Sequence, residues 1–200
     1  MNLWDLNKYM NISIFNYFFS FAHQNLLVDQ IIIFLANGFS IVLMLSGVLY
    51  VMYHNEGKFS PIQNYQIFSI RMKEIFVFCS TGVFSWFAVS FLKSIFSMPR
   101  PYEVLDITPL FTYGTMDSFP SGHAAVFGAL AFGLLFLHRS RGSILFAILS
   151  VFVLLARVVS GIHFPVDIIT GIFVGFLIAY FFHRLFRPII YKKAISSRNH

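Results

Sequence analysis

Eight residues whose types could do chemistry together fall into three short clusters: Lys93 and Arg100 in KSIFSMPRP, Ser121, Gly122 and His123 in PSGH, and Arg157, His163 and Asp167 in ARVVSGIHFPVDI. A lysine at the end of an apolar run ordinarily snorkels to the headgroups. Arg100 is different, because Pro99 and Pro101 stiffen the backbone around a planar donor fork suited to an oxyanion. If a helix starts at PSGH, its first backbone N–H groups lack partners and form an anion seat. Ser121 can then cap, Gly122 allows close backbone approach and His123 adds a titratable donor. In the third cluster Pro165 suits a first helical turn, which brings His163 and Asp167, four residues apart, toward one another. The aspartate there either stabilises a helix N-terminus or fixes the tautomer and orientation of the imidazole.

The elements that must position these clusters are membrane helices. Of 200 residues, 58% are hydrophobic and only 11% charged, less than half the charge of an ordinary soluble domain. Continuous apolar runs at about 30–53, 75–92, 124–138, 143–156 and 168–183 approach the ~20 residues that cross a bilayer as helix. They do not alternate as strands would, and in lipid each segment must satisfy its own backbone. The expectation is an all-α, polytopic membrane protein of five spans forming one domain over 1–200. Residues 1–29, aromatic and interrupted by asparagines, read as a helix lying in the interface. A sixth span through 11–27 is the alternative, and no cleavable signal peptide is visible. The single cysteine, Cys79, gives no disulfide and receives no role.

This arrangement folds the three clusters onto one face. The third and fourth spans form a hairpin whose turn, HRSRG at 138–142, lies on the opposite side. Residues 93–101, 120–123 and 156–167 therefore return together. Ten basic residues, Lys58, Arg71, Lys73, Arg139, Arg141, Arg184, Arg187, Lys192, Lys193 and Arg198, fall on the other side, against Lys8, Lys93, Arg100 and Arg157 on the motif side. By the positive-inside rule the motif side faces away from the cytoplasm and the basic tail 187–200 lies within it. The charge of +6 is thus a topology signal, with anionic lipid contact secondary and nucleic acid not expected. Three cations beside a helix N-terminus imply an oxyanion of high charge density, and two histidines imply proton transfer or nucleophilic attack. A phosphoryl group meets both requirements. Zinc on the histidines and Asp167 is opposed by the cations. A transporter would carry its charges deep within spans, whereas these stand at span ends.

The three clusters, in this order and spacing, resemble the type 2 phosphatidic acid phosphatases, relatives of the vanadium haloperoxidases. That pattern is lysine, six residues, Arg-Pro; then Pro-Ser-Gly-His; then Ser-Arg, five residues, histidine, three residues, aspartate. Residues 93–167 carry it, with one departure: Ala156 stands where the family usually has serine, which weakens a supporting contact more than the chemistry. The resemblance implies that His163 attacks phosphorus, that His123 protonates the leaving oxygen and that Asp167 orients His163. It further implies that Lys93, Arg100, Ser121, Gly122 and Arg157 hold the nonbridging oxygens, with no metal or other cofactor.

A site at the membrane–water boundary suits an amphiphilic lipid substrate. The short chain and its DSFPSGH stretch at 117–123 resemble small bacterial enzymes acting on undecaprenyl diphosphate, which makes that lipid the leading expectation, at the outer face of the bacterial cytoplasmic membrane. Phosphatidylglycerol phosphate, phosphatidic acid and the 1-phosphate of lipid A compete with it. Phosphate transfer to a lipid acceptor and a non-catalytic scaffold are the other readings. His23, His54, His138, His183 and His200 read as solvated or capping, and Glu103, Asp106 and Asp117 as a solvated loop. GIFVG at 171–175 has the small-xxx-small spacing of a close helix contact, and oligomeric state is left open.

Overall fold

A computed structural model describes residues 3–54, 61–112 and 117–196. Lys58 and Arg198, counted in the charge asymmetry, lie outside these residues, as do His200 and the end of the basic tail. The described residues form helices α1 (Leu3–Phe19), α2 (Leu26–Ile33), α3 (Phe39–Tyr53), α4 (Pro61–Phe96), α5 (Pro101–Val104), α6 (Gly122–Leu137), α7 (Arg141–Val159) and α8 (Pro165–Ser196), and no strand. A π-helical turn, Phe34–Gly38, joins α2 to α3, so the two run as one apolar helix, Leu26–Tyr53.

Among the described residues, four helical stretches are long and apolar enough to cross a membrane: Leu26–Tyr53, Phe68–Val104 (α4 with the turn into α5), Arg141–Val159 and Pro165–Ile189. The first begins four residues before the apolar run suggested, because Asn25 caps it, its side chain accepting from the Leu27 N–H at 2.8 Å. Residues 11–27 do not form one helix. The chain turns after Phe19, with His23 at φ 62°, so a sixth continuous span there is replaced by two helices. Large apolar side chains such as Ile41, Phe76, Phe87, Phe152 and Phe173 are each more than half exposed, which suits a surface solvated by lipid tails.

α6 is the exception. Its 16 residues make a rod of about 24 Å, short of a ~30 Å hydrocarbon core. It is also the most enclosed helix, packed against α4, α7 and, most extensively, α8. Glycines make that last contact possible. A Cβ at Gly171 would lie 2.6 Å from Ser121 O, and one at Gly175 would come within 3.0 Å of Ala125 O and Ala129 N. The small-xxx-small spacing of GIFVG is thus used within the chain, to bring α8 onto the backbone of α6.

At the end of the bundle opposite the three clusters, a buried polar network ties the helices together. Glu74 of α4 is 1% exposed. Its Oε2 lies 2.8 Å from Arg71 Nη1 and 3.4 Å from His138 Nε2, while Arg71 Nη2 donates to His54 O and Tyr50 pairs with Ser140. His138 does cap α6, as expected, but it is buried beside a carboxylate rather than solvated.

Two stability consequences follow from these contacts. Gly175→Val must push α8 off α6, because the obstacles are backbone, and should cost about 1–3 kcal/mol, read as a lower unfolding temperature in detergent micelles. Glu74→Ala strips the carboxylate from the partly buried Arg71 and should cost about 1.5–3 kcal/mol in the same measurement. Unchanged unfolding temperatures would contradict either account.

Candidate active site

Lys93, Arg100, Ser121, Arg157, His163 and Asp167 converge at the end of the bundle where α4 and α7 finish and α6 and α8 begin. α4 stops at Phe96, with Ser97 in the left-handed region at φ 39° and its N–H donating to Lys93 O at 2.9 Å. One turn back, Lys93 Nζ donates to Asp117 O and, at 3.4 Å, to Ser118 O. Arg100 precedes the short α5. Its N–H donates to Glu103 Oε2 at 2.8 Å, so Glu103 helps fix this turn, while its Nη1 donates to Ile162 O at 3.0 Å. Arg157, in the last turn of α7, donates from Nη1 to Ala36 O at 3.1 Å. That carbonyl belongs to the π-helical turn and also accepts from Ser40 Oγ at 3.1 Å. Arg100 and Arg157 are 3% and 2% exposed, and each is anchored to main chain.

The α7–α8 loop carries His163. Gly161, at φ 81°, takes a left-handed conformation open to glycine, and a Cβ there would also lie 2.9 Å from the Phe19 ring. α1 braces this loop from outside. Phe15 is fully buried against Phe164, ring centroids 5.3 Å apart, and Asn11 Oδ1 accepts from the Val166 N–H at 3.2 Å. α8 begins at Pro165, as its sequence suggests. Asp167 folds back to accept from the Phe164 N–H at 2.8 Å, and its Oδ2 lies 3.4 Å from His163 Nδ1.

Sequence reasoning missed one member of this group. Ser118 is 1% exposed; its Oγ donates to Asp167 Oδ2 at 2.5 Å and lies 3.2 Å from His163 Nδ1. It stands 45 residues from His163, a separation that no spacing rule connects.

Ser121 is the N-cap of α6, its Oγ accepting from the Ala124 N–H at 3.5 Å, and its own N–H donates to Asp167 O at 3.0 Å. Gly122 and His123 form the first turn and are partly exposed; a Cβ on Gly122 would meet nothing within 4 Å, so space opens beside this backbone. His123 lines a cavity of about 230 Å³ whose other walls include Ser40, Phe127, Ile41, Met44 and Trp86. The last three are each more than 40% exposed, so the cavity is apolar and faces the lipid-solvated side. Ala156 packs against Ile32 and Ala36 in an enclosed apolar cluster.

Burial, and after it the charges of Arg157, Arg100 and Lys93, hold the His163 imidazole well below its ordinary titration range. At neutral pH it is therefore an uncharged ring with one lone pair, able to act as nucleophile or base. The arrangement can grip an anion with three cations and a helix N-terminus while presenting that lone pair to it.

The family model described as the PAP2 superfamily matches residues 74–191. A lipid A 1-phosphatase of Rhizobium etli is 34% identical over 103 residues, covering 48% of this chain and 43% of that protein; the chain thus spans less than half of that relative's length. Undecaprenyl-diphosphatase BcrC of Bacillus subtilis is 25% identical over 188 residues, covering 90% of this chain and 88% of that protein. Among solved structures, a transmembrane PAP2 type phosphatidylglycerolphosphate phosphatase from Bacillus subtilis shares the fold, with a TM-score of 0.60 and 18% identity over 92% of this chain and 88% of that one.

The charge state of His163 can be read directly. An ordinary imidazole is half protonated near pH 6.5; nitrogen-15 shifts of the His163 ring, assigned by difference against His163→Gln, should still be those of a neutral ring at that pH. Half protonation there would contradict the electrostatic account.

Proposed function

The chain belongs to the PAP2 superfamily, and from that premise we propose that it is a multi-pass membrane phosphatase of lipid phosphates, built as a single catalytic domain. The observation that carries this reading is the meeting of Lys93, Arg100 and Arg157 with the His163–Asp167 pair. They stand at one end of a helical bundle whose His123 lines an apolar, lipid-facing cavity. An anion held by the cations can leave its hydrocarbon part in that cavity and among the helices.

In the proposed reaction the His163 lone pair forms a bond to phosphorus as the bond from phosphorus to the leaving oxygen breaks, and His123 gives that oxygen a proton. Water then attacks the phosphohistidine, His123 taking its proton, and inorganic phosphate leaves. Asp167 orients His163. Lys93, Arg100 and Arg157, with the backbone at Ser121 and Gly122, hold the nonbridging oxygens, whose charge changes through the transition state. Side chains supply the positive charge in this scheme, so no metal has a part in it.

Undecaprenyl diphosphate is the proposed substrate, cleaved to the monophosphate. Similarity to undecaprenyl-diphosphatase BcrC along 90% of this chain supports that choice over the 1-phosphate of lipid A, whose phosphatase matches only 48%. The basic residues of the opposite end, Arg71, Lys73, Arg139, Arg141, Arg184 and Arg187, support a site on the outer face of the cytoplasmic membrane with the C-terminus in the cytoplasm.

Purified protein with EDTA present should release phosphate from undecaprenyl diphosphate faster than from phosphatidylglycerol phosphate, phosphatidic acid or lipid A. His163→Ala should lower that rate about a thousand-fold or more. Release only when a lipid acceptor is added would mean phosphotransfer. Absence of release from every lipid, or equal release by the variant, would sink the reading.

A further inference from the structure

His163 can use its Nε2 lone pair only if its proton sits on Nδ1, and the direct partner assigned to that nitrogen is badly placed. Asp167 Oδ2 lies 3.4 Å from Nδ1, beyond the range of a good N–H···O bond. Two nearer donors already point at that oxygen, the Phe164 N–H at 2.8 Å and the Ser118 hydroxyl at 2.5 Å. The group nearer to Nδ1 is Ser118 Oγ, at 3.2 Å.

We propose that Ser118 is a positioning residue, its hydroxyl interposed between Asp167 and His163 so that it sets the imidazole tautomer. A hydroxyl has one proton, and an ionised carboxylate can only accept. The proton of Ser118 is therefore committed to Asp167, which leaves an oxygen lone pair facing His163. That lone pair accepts a hydrogen bond from Nδ1–H and cannot donate one to it. The ring is held with hydrogen on Nδ1 and its lone pair on Nε2, and Asp167 acts on the ring through the serine. When His163 attacks phosphorus and its ring becomes cationic, the Nδ1–H to Ser118 to Asp167 chain lets the carboxylate stabilise the charge without moving.

The serine is fixed well enough for this. It is 1% exposed, its N–H donates to Met98 O at 2.8 Å, and its carbonyl accepts from Lys93 Nζ. The end of α4 and the turn after it, which carry Lys93 and Arg100, thus hold the same residue that orients His163, so the oxyanion grip and the tautomer are set by one backbone.

The role rests on the reading of His163 as nucleophile, and two measurements separate the failure of each. With wild type and His163→Ala in the same lipid phosphatase assay, Ser118→Ala should lower kcat about 10- to 100-fold, the range seen when a hydrogen-bonding partner of a working histidine is removed. KM should change little, and Ser118→Thr, which keeps the hydroxyl, should restore most of the rate. Nitrogen-15 shifts of the His163 ring should show the Nδ1–H form in wild type and a mixture in Ser118→Ala, whether or not the right lipid is in hand. Should Ser118→Ala fail to accumulate in membranes, Ser118→Cys, with similar volume and a weaker donor, carries the same expectation. An active wild type, a dead His163→Ala and a Ser118→Ala with unchanged kcat and tautomer would overturn the role of Ser118 alone. Full activity in His163→Ala would overturn the nucleophile and this role with it.

Discussion

Crowding three cations into the boundary of a bilayer is the constraint to which the rest of the structure answers. Each cation repels the others, and the two buried arginines lack bulk water to soften the cost. The chain answers with main-chain carbonyls. Lys93 is tied to Asp117 O and Ser118 O, Arg100 to Ile162 O and Arg157 to Ala36 O. A carbonyl in a regular helix is already engaged with the turn above it, so each of these acceptors comes from irregular backbone. Three, Asp117 O, Ser118 O and Ile162 O, lie in loops, and the fourth, Ala36 O, lies in the π-helical turn Phe34–Gly38, where a widened turn re-aims the backbone. Irregular backbone at membrane depth is tolerable only where protein encloses it. The packing of α1 over the α7–α8 loop, with Phe15 fully buried, supplies part of that enclosure.

The short α6 belongs to the same solution. A helix that spanned the bilayer alone would carry its N-terminus out to the headgroups. At 16 residues α6 can instead begin beside the cations, because α4, α7 and α8 shield it from lipid. Gly171 and Gly175 let α8 approach closely enough that Ser121 N–H reaches Asp167 O at 3.0 Å. The helix start proposed to hold phosphate and the helix start that carries Asp167 are thereby locked together. A side chain at either glycine would loosen the site from a distance of one or two helical turns.

How much of this was legible in the sequence depended on whether the signal was local. Ser121 as N-cap and Pro165 in a first turn obey short-range rules, and both helices begin there. The convergence of Lys93, Arg100, Arg157, His163 and Asp167 followed from hairpin topology and span length. The π-helical turn was invisible, since the Asn-Gly pair that ends FLANG signals a turn or loop rather than a widened turn inside a continuous helix. Ser118 was invisible for another reason: its partners are 45 and 49 residues away, and a serine before Phe-Pro looks like loop chemistry. The buried His138 was underestimated because its partner Glu74 lies 64 residues earlier, and apolar periodicity says nothing of paired charges. The break between α1 and α2 was overlooked because the aromatic run continues past the end of α1 to Phe21 and masked the turn before Asn25.

The two ends of the bundle bury charge on different terms. At one end a single buried carboxylate, Glu74, is matched by Arg71, with His138 beside it. That buried pair is matched charge for charge, and it can serve as a fixed clasp for α3, α4, α6 and α7. At the other end Lys93, Arg100 and Arg157 face one buried carboxylate, Asp167, and that carboxylate is turned toward Ser118 and the Phe164 N–H, with His163 beside it. Carbonyl dipoles hold the cations in place but cannot cancel their charge. Burial first, and then this positive excess, keeps His163 uncharged, and a phosphate carrying two or more negative charges would restore the balance. Binding and nucleophile activation then overlap in origin: the charges that draw in the anion add to burial in leaving the imidazole its lone pair.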